Sequence, residues 1–165
     1  MSHEPHPGVL SFLERYRLIV VLLLAALIVL IGWPITMAQC PTWEVWVVDQ
    51  SGQPLQGMTV RLTYQNHSAE SDSHSEDLQT DANGHVLFRP KSLTVSGIHR
   101  AIVTMESATA GVHASFGPHA WIWAFGKGLE GEAVNDEHIT DWTGAPSRMA
   151  SRIVAKPGTS VIRAY

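Results

Sequence analysis

The chain predicts an all-β exported domain preceded by one N-terminal transmembrane helix. Three observations carry that expectation. Leu18 to Ile31 is an apolar run that continues without a charged residue to Ala38. From Thr42 onward, short segments rich in β-branched and aromatic residues alternate at period two, the pattern of strands. Between them stand Gly, Pro, Asn and Asp, the residues whose backbone or side chain suits a turn.

Residues 18–38 are the first element. A helix needs about 20 predominantly apolar residues to cross a bilayer core, and it bonds all its backbone polar groups internally. Arg15 and Arg17 precede the run, and the first charge after it is Glu44. Basic residues stay on the cytoplasmic side. Residues 1–17 therefore read as a cytoplasmic stub, and residues 42–165 as one periplasmic or extracellular domain. Tyr16 and Trp33 suit the aromatic belts at the two interfaces. The segment reads as a retained signal anchor. The alternative is a signal peptide cut after Ala38, where Thr36-Met37-Ala38 supplies small residues. Gln39 argues against a lipid-modified Cys40, and length without charge argues against a buried core helix.

Composition narrows the function classes. The chain has 165 residues and a formal net charge of -4, which gives no basic footprint for nucleic acid. Cys40 is the single cysteine, so the domain has no internal disulfide and is held by its core. The bland reading of Cys40 is a free thiol close to the membrane.

Thr42 to Asp49 (TWEVWVVD) reads as a strand with Trp43, Val45 and Val47 on one face. Gln50 to Pro54 is a turn. Met58 to Gln65 alternates cleanly: Met58, Val60, Leu62 and Tyr64 point one way, Thr59, Arg61 and Thr63 the other. Asn66 to Asp77 is polar throughout and reads as a solvated loop; Glu70, Asp72, Glu76 and Asp77 do not follow a calcium-loop spacing. Leu78 to Phe88 carries the next hairpin signal. Asp81-Ala82-Asn83-Gly84 is its turn, and His85 to Phe88 is a strand with Val86 and Phe88 inward.

Val47 to Leu62 contains a strand ending in Asp49, then Gly52-Gln53-Pro54-Leu55-Gln56-Gly57, then the Val60/Leu62 strand. Thr80-Asp81-Ala82-Asn83-Gly84-His85-Val86-Leu87-Phe88 follows. This pattern resembles the carboxypeptidase regulatory-like family over about 45 residues, a strand-and-turn signal of the kind a sandwich gives. The resemblance implies an Ig-like or prealbumin-like β-sandwich of about seven strands, in a group of exported domains most of which are not catalytic. A transthyretin-like hydrolase would be the enzyme relative. Its Tyr-Arg-Gly-Ser ending is absent here, where the chain ends Val161-Ile162-Arg163-Ala164-Tyr165, so no catalytic residue is carried over.

The second half lacks that signature. Arg100 to Met105 and Val112 to Phe116 read as strands. Ala120 to Phe125 reads as a strand with Trp121, Trp123 and Phe125 on one face; burial in the core is the favoured reading of Trp121 and Trp123, and a platform for a sugar or peptide, formed with Trp142, is the alternative. Gly126 to Ala150 reads as a long glycine-bearing loop with one helical turn around Glu132 to Ile139. Ser151 to Ala155 and Ser160 to Ala164 close the sandwich around a turn at Lys156-Pro157-Gly158.

Function is expected in that long loop, because sandwich frameworks carry function on their loops and long loops in compact domains are functional or disordered. Trp142 is its exposed aromatic, with Glu137, His138 and Asp141 beside it, a set suited to a sugar face or a protein interface. His113, His119 and His138 lack the local spacing of metal ligands and read as scattered surface histidines. No G-x-S-x-G elbow occurs. The expectation is a non-catalytic, membrane-anchored interaction or structural module of the cell envelope, with a protein or glycan partner outside and no nucleic acid. No cofactor, metal or catalytic residue is expected. The alternatives are a divergent transthyretin-like hydrolase, and a metal- or glycan-binding module on the same fold.

Overall fold

The apolar run does start as a helix, but it does not end as one. The computed structural model describes residues 7–135 and 138–158, with side chains for residues 16–133 and 140–158. Helix α1 spans Pro7–Gly32, and strand β1 follows at Pro34–Cys40. Pro34 has no amide hydrogen to continue the helical ladder, and the residue before a proline is pushed out of the helical region. Residues 18–38 are therefore not a single helix, and the sheet domain begins at Pro34 instead of Thr42. Among the described residues, no helix is long and apolar enough to cross a membrane. All the described side chains of α1, residues 16–32, are exposed.

The remaining elements are β2 (Thr42–Val48), β3 (Thr59–Asn66), β4 (His74–Gln79), β5 (His85–Phe88), β6 (Lys91–Ser96), helix α2 (Gly97–Ala108), a 3-10 turn at Gly111–His113, β7 (Pro118–Gly126), β8 (Leu129–Glu132), β9 (Val134–Asn135), β10 (His138–Ile139), β11 (Arg148–Val154) and β12 (Lys156–Pro157). The fold is mainly β, arranged in the manner of a β-sandwich. A three-stranded sheet runs β11-β2-β5, and a five-stranded sheet runs β12-β8-β7-β3-β4. Strand β11 lies parallel to β2, whereas β2 and β5 are antiparallel. Strands β1 and β6 form a separate antiparallel ribbon, and β9 and β10 a short antiparallel pair.

One core lies between the two larger sheets. Trp43, Val45 and Val47 of β2, Val86 and Phe88 of β5 and Ile153 of β11 come from one side; Val60 and Leu62 of β3 and Ala120, Ile122 and Ala124 of β7 come from the other. The period-two reading of β2, β3 and β5 therefore holds, and in the sheet Trp43 lies opposite Phe88.

The two Asp-Gly turns hold as their sequences require. Asp49 Oδ1 accepts from the Ser51 and Gln53 amides at 2.8 and 2.9 Å. Asp81 Oδ1 accepts from the Asn83 and His85 amides at 2.8 and 2.9 Å. The Ser51 hydroxyl also donates to Asp49 Oδ1 at 2.7 Å, and hydrogen bonds hold both carboxyls below their ordinary range, chiefly that hydroxyl at Asp49 and the His85 amide at Asp81. The turn at 81–84 is a corner and not a hairpin, because β4 pairs with β3 while β5 pairs with β2.

Several segments differ from expectation. Residues 100–105 belong to α2: Ser96 caps the helix, its Oγ accepting from the His99 amide at 3.3 Å. Val112 to Phe116 contains the 3-10 turn in place of a strand. The polar stretch 66–77 is not simply a solvated loop. It supplies β4 from His74, and its Asn66, Ser68 and Ala69 are buried. Asn66 Nδ2 donates to the Ala38 carbonyl, while Glu70 Oε1 accepts from Gln39 Nε2 and from the Asn66 amide, each at 2.8 Å. Asp77 pairs with Arg61 and Glu76 with Lys91. Gly126 to Ala150 holds β8, β9, β10 and the start of β11 in place of a long loop. Lys156 and Pro157 pair with β8 as β12. The expected strand at Ser160 to Ala164 lies outside the described residues. Cys40 is a free, buried thiol, and burial pushes its pKa up.

Candidate functional site

Strand β3 decides which face of β7 is buried. Residues directly opposite on antiparallel strands share a face of the sheet. Ala120, Ile122 and Ala124 pair with Tyr64, Leu62 and Val60, the apolar row of β3. Trp121, Trp123 and Phe125 pair with Thr63, Arg61 and Thr59, the polar row. The core thus takes the small row of β7, whose two alanines leave room for Trp43, Phe88 and Trp142. The favoured core placement of Trp121 and Trp123 is overturned, and Phe125 shares their face. All three stand half-buried on the outer face of the five-stranded sheet.

That outer row is bordered by polar groups. Trp123 also pairs with Glu132 of β8, and Phe125 with Glu130. The Trp123 and Phe125 rings lie 4.9 Å apart, and the Arg61 guanidinium sits 5.3 Å from the Phe125 centroid. Arg61 donates twice to Asp77, at 2.7 Å each, which holds the Asp77 carboxyl below the usual carboxylate range. At the other end, the His119 ring is 5.4 Å from Trp121 and 6.2 Å from His67.

The 126–150 segment reaches this row through Asp141 and Trp142. Trp142 is paired with Ala120 in both directions: the Ala120 amide donates to the Trp142 carbonyl at 2.9 Å, and the Trp142 amide to the Ala120 carbonyl at 2.7 Å. Successive residues of an extended strand face opposite ways. Trp142 therefore goes inward, only 2% exposed, with Nε1 donating to the Pro146 carbonyl at 2.6 Å. The expectation that it is the exposed aromatic of the segment is corrected. Asp141 goes outward, and its Oδ2 lies 3.0 Å from His119 Nε2.

His119, Trp121, Ile122, Glu132 and Asp141 line an open cleft of about 240 Å³. Of the expected site set, Asp141 lines it and Trp142 supports it from behind. Glu137 lies outside the described residues. His138 is placed only as a backbone position of β10. His113 stands in the 3-10 turn and does not join His119. Among the described residues, no group of three His, Cys, Asp or Glu could hold a metal ion. Chemically the cleft offers a π face, two carboxylates and an imidazole within one small concavity. His119 and Trp121 share strand β7, but Glu132 reaches them only through the pairing of β7 with β8, which the sequence does not announce. The alternation of β3 was the available signal, because it dictates the outward row of any strand paired to it.

His67 adds a pH dependence beside the site. Burial is the main cause that lowers its pKa, with the neighbouring His119 adding to it. Above the unfolded value of about 6.5 both folded and unfolded forms are neutral and the group contributes nothing. As pH falls below that value, the unfolded chain binds a proton that folded His67 resists, so stability falls until the lowered folded pKa is passed. Thermal melts at pH about 8 and about 5.5 are expected to show a decrease that is smaller in His67→Gln. An equal decrease in the variant would place the titration elsewhere.

No protein-family model and no curated protein matches the chain.

Proposed function

We propose that the chain is a non-catalytic, membrane-anchored module of the cell envelope that binds a glycan on the outer face of β7. The observation that carries the reading is the solvent-facing row of Trp121, Trp123 and Phe125, edged by Arg61, Glu132, His119 and Asp141. Aromatic rings present broad apolar faces that suit the C–H face of a sugar. Carboxylates accept from hydroxyls, and a neutral imidazole can donate or accept. Three aromatics in a row on a flat sheet suit an extended chain of sugars better than one small ligand.

The anchoring reading rests on the charge-free run, on Arg15 and Arg17 before it, and on the outward apolar side chains of α1. A helix that is apolar on all sides belongs in an apolar environment. In that orientation the sandwich is periplasmic or extracellular. The Asp49 and Asp81 turns support membership of the carboxypeptidase regulatory-like family, and with it a prealbumin-like sandwich.

One observation favours a second reading, a divergent hydrolase: the His119–Asp141 pair sits in a cleft, as an oriented base would. Against nucleophilic chemistry, the described lining holds no Ser, Thr or Cys.

The test uses the full chain in detergent with soluble oligosaccharides of hexoses and N-acetylhexosamines. Saturable binding is expected, weakened roughly 5- to 150-fold in Trp121→Ala and in Trp123→Ala, the fold-change that corresponds to about 1 to 3 kcal/mol for a stacked ring. Unchanged binding in both variants would remove the outer face of β7 as the site. Turnover of any tested oligosaccharide that is lost in His119→Gln would favour the hydrolase.

A further inference from the structure

Helix α2 is built with its polarity reversed. Its inner face is held to the domain by polar bonds: His99 Nε2 lies 3.0 Å from the Ala69 carbonyl, Ser107 Oγ donates to the His67 carbonyl at 2.9 Å, and Thr104 Oγ1 to that of Ser68 at 3.5 Å. Val103 is its one buried apolar residue among those described. Its outer face carries Ile98, Ile102 and Met105, spaced i, i+4 and i+7 on one stripe, all exposed, Met105 at 71%. Val112 and Phe116, after the helix in the chain, are exposed as well. A helix in water puts its apolar stripe toward the core, and α2 does the reverse.

The position of α2 says what covers the stripe. Its first turn touches the last turn of α1: a Cβ added at Gly97 would fall 2.8 Å from the Ile31 carbonyl oxygen. Trp33 and Ile35 are exposed at the same junction. Exposed apolar side chains therefore stand on both sides of this junction, on α1 and Trp33 and on the stripe of α2. We propose that α2 lies on the bilayer surface, with Ile98, Ile102 and Met105 in the headgroup-to-acyl boundary. Such helices bury their apolar face by about 5 to 10 Å, and Trp33 fits the interfacial belt. This inference rests on the membrane-anchor reading of α1. It adds a second lipid contact that would seat the domain flat on the membrane.

The experiment places one environment-sensitive fluorophore on an introduced cysteine, in a Cys40→Ala background of the full chain. The protein is reconstituted in vesicles of phosphatidylcholine and phosphatidylglycerol. Leu24→Cys reports on α1, Met105→Cys on the stripe, and Arg100→Cys on a solvent-facing position of α2. The expected result is quenching of the labels at 24 and 105 by lipid-borne quenchers, with the label at 100 quenched only by aqueous iodide. A label at 105 open to iodide, with 24 still quenched from the lipid, would overturn the seating of α2 and leave the anchor standing. A label at 24 open to iodide would overturn the anchor and the inference together. A label at 105 shielded from both quenchers would mean that protein, such as a second copy of this chain, covers the stripe, and would overturn a lipid partner. If Cys40→Ala fails to fold, the same labels in the native background serve, since Cys40 is buried and reacts slowly.

Discussion

Trp142→Ala is expected to lower the unfolding free energy by about 3 to 5 kcal/mol, the range for emptying a large aromatic site in a core. The indole fills the space above Ala120 in the common core and donates to the Pro146 carbonyl. Denaturant melts of the variant check it, and a loss under about 1 kcal/mol would mean that the ring behaves as a surface group. Trp142→Phe separates the two contributions. It keeps most of the packing and leaves the Pro146 carbonyl without its donor, which costs about 1 to 3 kcal/mol if that carbonyl stays dry. The functional corollary is specific. Asp141 is aimed at His119 only because Trp142 is locked inward, so Trp142→Ala should weaken oligosaccharide binding even though the indole faces away from the cleft.

Gly84→Ala carries the second large effect. Gly84 has a φ of 69°, in the left-handed region where a side chain costs on the order of 1 to 3 kcal/mol in strained settings. Space makes it worse. An added Cβ would press against the Val47 carbonyl oxygen and come within 3.0 Å of the Leu55 amide nitrogen. Those groups are already engaged: the Val47 amide donates to the Gly84 carbonyl at 2.8 Å, and the Leu55 amide to the Val47 carbonyl at 2.9 Å. The substitution is thus expected to cost at least about 2 kcal/mol, strain plus a disturbed bond. Gly128→Ala is a suitable control, because it shares a positive φ of 73° and has open space around it. Equal losses in the two variants would assign the whole effect to backbone strain and none to the contact with Val47.

The parts of the fold that were legible in advance are those where pattern and turn chemistry agree. Strands β2, β3 and β5 show period-two alternation, and the turns at 49–54 and 81–84 are closed by an Asp carboxylate that needs no distant partner. Residues 100–105 read as a strand because the short run holding Ile102, Val103 and Met105 fits a strand as well as a helix, and because in the helix it is the polar face that packs. No local rule anticipates a helix fastened by His99, Thr104 and Ser107. The two faces of β7 were reversed for a different reason. Its bulky row looks like the core by hydrophobicity, but register against β3 decides the matter, and register is a long-range property. The site was half legible: Asp141 was singled out, whereas His119 and Glu132 reach it only through the pairing of β7 with β8 and through the bridge between Ala120 and Trp142.

The join between α1 and the sheets leaves little slack. Gly32 ends the helix, Pro34 begins β1, and only Pro41 separates β1 from β2, the middle strand of the three-stranded sheet. β1 is itself clamped along its length by β6. Seven residues of extended chain rise about 23 Å at roughly 3.3 Å each. A domain on a flexible tether searches a volume, and linker length sets its effective concentration. If α1 is the proposed membrane anchor, this strut would instead hold the β7 face at one height. Its partner would have to come to that height, and the meeting would depend on sideways diffusion of the whole molecule.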